Sequence, residues 1–175
     1  MDVYIVIGNQ QHNVIKDYKL LEDKTMRELI ANDIFQLPTH RDGTEGLCVT
    51  TNGMIKKNGH AVMGRGIALQ ANNLYHVSGK LATHLAAHGN VAADLGVYNG
   101  IHVLSFPTKN DWRDDSDINL IKRSAEQLMK IADDLNLTTI YLPKPGCANG
   151  HLDWNDVKPV ISKILDDRFI VVIQP

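Results

Sequence analysis

A chain of 175 residues is long enough for one well-formed core and too short for two full-sized domains, so a single domain over 1–175 is expected. Eighteen Lys and Arg against 20 Asp and Glu give a net charge of -2, which excludes a global field drawing the chain to nucleic acid or an anionic membrane. Any anionic ligand must be held locally. Cys48 and Cys147 lie far apart without CxxC spacing, which fits a reducing, cytoplasmic setting better than a disulfide framework.

The segment VYIVIG carries Asp2 ahead of it, where a signal peptide would carry positive charge, and reads as a strand. With HNVIKDY across NQQ it reads as an N-terminal hairpin over about residues 1–20, a possible addition to the main fold. No apolar run approaches the roughly 20 residues of a membrane-spanning helix, so a soluble chain without a membrane partner is expected. MRELIANDIF (26–35) and GLCVTT (46–51) read as strands, the second a short buried one, with the polar loop THRDGTEG between them. Gly66 to Tyr75 and Val77 to His88, rich in Ala, Leu and His, read as two short helices broken near Gly79.

GIHVLSF (100–106) is another buried-type strand. The clearest helix has Ser116 as its expected N-cap and places Ile118, Ile121, Ala125, Leu128, Ala132 and Leu135 on one stripe. TTIYLP (138–143) follows as a strand, then a helix over about 155–166 and a last strand RFIVVI (168–173). Pro159 is expected near the start of that helix, with the cap at Asn155 or Asp156. Strands alternating with helices argue for a mixed, largely parallel sheet covered on both faces, with ligands bound beyond the carboxyl ends of its strands. That rule directs attention to 52–68, 108–113 and 144–151.

NGHAVMGRGIALQA (58–71) runs three glycines into a helix start, where unpaired N–H groups and a positive dipole end could hold a diphosphate. The same glycines suit an ordinary strand-to-helix loop, and neither a Walker A nor a GxGxxG pattern is present. PKPGCANGHLDW (143–154) is a second such loop, equally compatible with a phosphate site and a turn. Between them lies FPTKNDWRDDS (106–116). Lys109 stands where an amine could reach a phosphate or ribose, or attack a sugar aldehyde, and where a solvated lysine would be unremarked. Trp112 and Arg113 read as packing and pairing residues. Asp33 could accept a hydrogen bond from adenine or simply cap a loop. The eight histidines show no metal-ligand spacing, and no metal is expected.

Together NDIF, TTNGMIKKNGHAVMGRGIALQA, SFPTKNDWRDDS and LPKPGCANGHLDWNDV resemble macrodomains, the three-layer α/β/α modules that bind ADP-ribose. The likeness covers about residues 26–173, and MGRGIA and FPTK resemble the branch of the DarG-like and terminal ADP-ribose glycohydrolases. The resemblance implies that Asp33 and Ile34 contact adenine. It also implies that Gly64, Arg65, Gly66, Ile67 and Ala68 form one phosphate loop, and Gly146, Cys147, Ala148, Asn149, Gly150 and His151 a second. Asn52 would lie near the distal ribose as a catalytic residue, Thr108 would contact the ligand, and Lys109 matches the branch's catalytic lysine.

One departure stands out. The terminal protein glycohydrolases carry a catalytic aspartate at the position matching Gly150, whereas DarG-like members carry a GCxNGxLDW loop. The expected activity is an ADP-ribosyl hydrolase acting on modified DNA or protein, with ADP-ribose as ligand or product, no cofactor, and a possible toxin partner. A phosphatase for ADP-ribose 1″-phosphate and a non-catalytic reader of ADP-ribose remain the alternatives.

Overall fold

A computed structural model describes residues 4–7, 10–13 and 24–175. Strands β1 (Tyr4–Ile7) and β2 (Gln10–Asn13) pair antiparallel as a separate two-stranded ribbon. Their register, Tyr4 with Asn13 through Ile7 with Gln10, puts Gln10 and Gln11 in the strand, not in the expected NQQ turn. Residues 14–18, expected to extend the hairpin, lie outside the described residues.

The main sheet has six strands in the order β3 (Arg27–Ile30), β8 (Phe169–Ile173), β7 (Thr139–Pro143), β4 (Glu45–Asn52), β6 (Ile101–Lys109), β5 (Ala93–Tyr98). All neighbours are parallel except β5 and β6. The central strands β4 and β6 are apolar on both sides, as a sheet covered on both faces requires: Leu47, Cys48, Val49, Val103, Leu104 and Phe106 are all fully buried. Alternation then divides them between two layers. Cys48, Leu104 and Phe106 pack with Ile140, Leu142 and Val171 under α3 (Ile118–Asp134) and α4 (Trp154–Ile161). Val49 and Val103 face α1 (Gly66–Tyr75) and α2 (Ser78–His88). The expected three-layer architecture is present. Among the described residues no helix is long and apolar enough to cross a membrane.

Several elements differ from expectation for identifiable reasons. The 26–35 strand stops at Ile30, and Ile34–Gln36 forms a 3-10 turn because the Asp33 carboxylate accepts from Phe35 N at 2.9 Å and caps it. The break between α1 and α2 falls at His76, in the left-handed region at φ 54°, and Gly79 sits inside α2. Strand β5 escaped the reading because Gly96, at φ 113°, interrupts its pattern with a register shift between Asp94 and Val97. Asn99 and Gly100, both at positive φ, make the tight turn from β5 into β6.

Helix α3 is capped by Asp117, whose carboxylate accepts from Asn119 N at 2.8 Å, while Ser116 is turned inward and buried. Helix α4 is shorter and earlier than expected. Asp153 caps it, accepting from Asn155 N at 2.8 Å, and it closes at Ile161, two residues past Pro159. Proline there is tolerated because the carbonyl that loses its N–H donor belongs to solvent-exposed Asn155.

Because the two layers share β4 and β6, Phe106→Ala should cost about 3–5 kcal/mol by urea denaturation. Ile30→Ala, on the 71% exposed end of β3, should stay within about 0.5 kcal/mol.

Candidate functional site

A cavity of about 590 Å³ opens beyond the carboxyl ends of β4, β6, β7 and β8, which contribute Thr50 to Asn52, Thr108 and Lys109, Pro143, and Val172 to its wall. The chain creates this opening where it leaves β6 through α3 and crosses β4 to enter β7, so that loops diverge on either side of β4. The parallel register of β4 and β6 runs in step from Glu45 with Ile101 to Thr51 with Pro107, then slips so that Asn52 pairs with Lys109. The slip coincides with Pro107, whose missing N–H cannot serve a regular ladder. It brings Asn52 and Lys109, the two residues expected to be catalytic, side by side at the cavity wall.

Asn52 anchors the loop that follows it: Nδ2 donates to Val62 O at 2.9 Å and Oδ1 accepts from Met54 N at 3.1 Å. Lys109 is half-buried, and its Nζ donates to the Asn149 carbonyl at 2.7 Å, across from β6 to the loop after β7. Its own carbonyl accepts from Asn90 Nδ2 at 2.7 Å. The amine is thus held at the cavity wall at both ends.

The first glycine loop splits into two parts. Gly59 lies in a tight reversal, Gly59 N donating to Lys56 O at 2.9 Å, and takes no part in the cavity. Gly64, Arg65, Gly66, Ile67 and Ala68 do line it. Arg65 enters α1 with extended backbone and no side-chain cap, leaving the first N–H groups of a ten-residue helix facing the cavity without intrahelical partners. Gly66 has φ 54°, and a Cβ there would come within 3.1 Å of Asn149 Nδ2, so the two loops meet at this point.

The second loop is held by turns: Cys147 N donates to Lys144 O, His151 N to Ala148 O and Leu152 N to Gly146 O. The amides of Ala148, Asn149 and Gly150 make no hydrogen bond to another described residue. Gly150 is packed against Ser116, whose N–H donates to the Gly150 carbonyl at 2.9 Å. A Cβ at Gly150 would overlap Ser116 Oγ and the Gly146 carbonyl. A carboxylate side chain therefore has no room at this position. His151, at φ 61°, instead pairs through Nδ1 with Asp115 at 2.6 Å on the exposed rim.

The charge of the lining differs from that of the chain. Arg65, Lys109, Arg113 and Lys144 line the cavity, and among the described residues no Asp or Glu does. Burial raises the Cys147 thiol above its usual range, so at neutral pH it contributes a small neutral group. Two hydroxyls, Thr51 Oγ1 and Ser116 Oγ, are buried at the wall with no partner among the described residues. Such groups are costly unless a ligand or water satisfies them. Among the described residues no three His, Cys, Asp or Glu side chains converge as a metal site needs.

Every candidate residue lines the cavity except Asp33, whose Oδ2 also accepts from Gln36 Nε2 at 3.0 Å. Asp33 thus presents the neighbouring Ile34, which does line it. Thr51, Gln70, Ser116, Val172 and Gln174 were missed. Thr51 and Val172 follow from the strand-end rule; Ser116 was hidden by its resemblance to a cap. Lys56 and Lys57 lie away from the cavity.

Comparison with known proteins agrees with this geometry. The Macro domain family pattern matches residues 91–161. The DNA ADP-ribosyl glycohydrolases of Mycobacterium tuberculosis and Mycobacterium bovis are each 33% identical over 125 residues, covering 67% of this chain and 34% of their own length. The chain thus spans about a third of these relatives. The macrodomain of Thermus aquaticus DarG superposes with a TM-score of 0.66 at 26% identity, over 86% of this chain and 98% of that one. The macrodomain of Mycobacterium tuberculosis DarG gives 0.60 at 28%, over 83% and 97%. The chain belongs to the macrodomain family, in the likeness of the DarG macrodomains.

Proposed function

We propose that the chain binds ADP-ribose and removes it from a modified macromolecule, with ADP-ribosylated DNA as the substrate. The observation that carries this reading is the composition of the cavity. Among the described residues, in a chain of net charge -2, its lining gathers four cations, of which Arg113 alone is paired, with Asp111, together with two sets of unpaired amides and no carboxylate. A diphosphate carries the complementary charge, and amides at a helix N-terminus and in a tight loop neutralise it without a metal. DNA as the substrate is supported by the named activity of the mycobacterial relatives. On this reading the partners are the modified DNA and the toxin that writes the modification, and the reaction takes place in the cytoplasm.

With the diphosphate between 64–68 and 146–151, the distal ribose lies over Asn52 and Lys109. Hydrolysis breaks the bond between ribose C1 and the base and leaves the oxygen of water on C1. Among the described residues the lining offers no carboxylate pair of the kind most glycosidases use, and the nucleophile assigned is the Lys109 amine, at the position of the lysine the resemblance implies. The deprotonated amine adds to C1 as the base departs with a proton, the sugar opens to an imine, and water hydrolyses the imine to free ADP-ribose and the amine. The Asn149 carbonyl 2.7 Å from Nζ orients the amine throughout.

Lys109→Ala should abolish release of ADP-ribose from an ADP-ribosylated oligonucleotide while changing the calorimetric Kd for free ADP-ribose by less than about tenfold. Borohydride added during turnover should attach ADP-ribose to wild type at Lys109, and equal turnover by the variant would remove the mechanism. Stoichiometric binding without release by wild type would identify a reader, and phosphate release from ADP-ribose 1″-phosphate alone a phosphatase. Gly150→Ala should weaken ADP-ribose binding and lower stability by about 1–3 kcal/mol through overpacking against Ser116. Gly150→Asp should fail to raise turnover, whichever relative it imitates.

A further inference from the structure

The sequence reads Trp112 as a packing residue, yet it is 50% exposed, one of the few large apolar side chains left in solvent. It also lines the cavity, three residues beyond Lys109. Its loop is held along its length. Asn110 O accepts from Gly53 N at 3.0 Å and Asn110 Oδ1 from Asn90 Nδ2 at 3.0 Å. Asp111 takes the Arg113 guanidinium in a fork, Nε at 3.0 Å and Nη2 at 2.6 Å, and the Arg113 Cζ lies 6.0 Å from the Trp112 ring centroid. Beyond them Asp117 N donates to Thr108 O at 2.9 Å. The indole is therefore presented at the cavity mouth on a fixed loop, beside a guanidinium whose charge Asp111 already balances.

Resting on the function proposed above, we propose that Trp112 is the platform on which the nucleobase bearing ADP-ribose stacks. The group attached at ribose C1 must lie outward of Lys109, on the side where Trp112 stands. A base has a flat π-face for the indole; a serine or glutamate side chain has none. Stacking also supplies a contact that the electrostatics do not. Arg113 is balanced by Asp111 and the chain as a whole is weakly acidic, so little long-range attraction remains for the DNA backbone. Such stacks tolerate any base and require that it be outside a duplex, so a single-stranded adduct is the preferred form.

The test compares wild type, Trp112→Phe and Trp112→Ala on a single-stranded oligonucleotide with one ADP-ribosylated base and on a serine-linked ADP-ribosyl peptide. Trp112→Ala should raise KM for the oligonucleotide on the order of 10- to 100-fold with kcat little changed, and Trp112→Phe should recover most of the loss. The ratio of kcat/KM for oligonucleotide to that for peptide should fall in the alanine variant. An unchanged ratio would overturn the proposal, as would a matching loss of affinity for free ADP-ribose, which would make Trp112 part of the ADP-ribose pocket.

Binding gives an arm that does not need turnover. In a Trp154→Phe, Lys109→Ala background Trp112 is the remaining tryptophan. The modified oligonucleotide should quench its fluorescence well beyond free ADP-ribose. Equal quenching by both would refute the stack even if wild type hydrolyses DNA adducts, whereas a strong quench with no hydrolysis by wild type would fault the catalytic reading alone.

Discussion

The parallel pairing of β4 with β6, and its slip at Thr51 and Asn52, is the contact on which the rest of the site depends. Both strands are sealed between two helical layers, so their carboxyl ends are fixed in position and their last residues are not free to adjust. The slip turns that rigidity into function by setting Asn52 beside Lys109. From there Asn52 holds the 54–62 reversal, and Lys109 reaches the loop after β7. Two loops distant in sequence, 64–68 and 146–151, thereby face one another, meeting where Gly66 leaves room for Asn149.

Charge is organised locally, against the balance of the whole chain. The acidic side chains near the cavity are spent on its rim, Asp111 on Arg113, Asp115 on His151 and Asp117 on the first turn of α3. None reaches the lining. The lining remains basic, and the chain's net charge of -2 supplies no general attraction for DNA. The buried Ser116 and Thr51 hydroxyls fit the same picture, since each lacks a partner that a ribose or phosphate oxygen could supply. Packing of Gly150 against Ser116 also accounts for its identity. That position is closed by sterics, so the absence of a carboxylate there is built into the loop.

Much of this was legible because it rests on short-range patterns. The α3 stripe, the buried runs of β4 and β6 and the glycine loops each carry a local signature, and the rule that ligands bind at strand ends joined them into one site. What escaped depends on contacts between distant segments. Ser116 has the chemistry of a cap, but the Gly150 carbonyl takes its N–H and Asp117 caps instead. Trp112 has the chemistry of a core residue, and only the fold shows that half of it is left exposed. Strand β5 was missed at Gly96, although Asn99–Gly100 announced the turn that follows it.

The central claim is that backbone amides of two loops hold the diphosphate, and amide NMR during an ADP-ribose titration tests it most directly. The amides of 64–68 and 146–151 should shift together with a single saturating isotherm, with Asn52 and Lys109 following and the β3 edge unmoved. Saturation with shifts confined to one loop, or centred elsewhere on the chain, would contradict it.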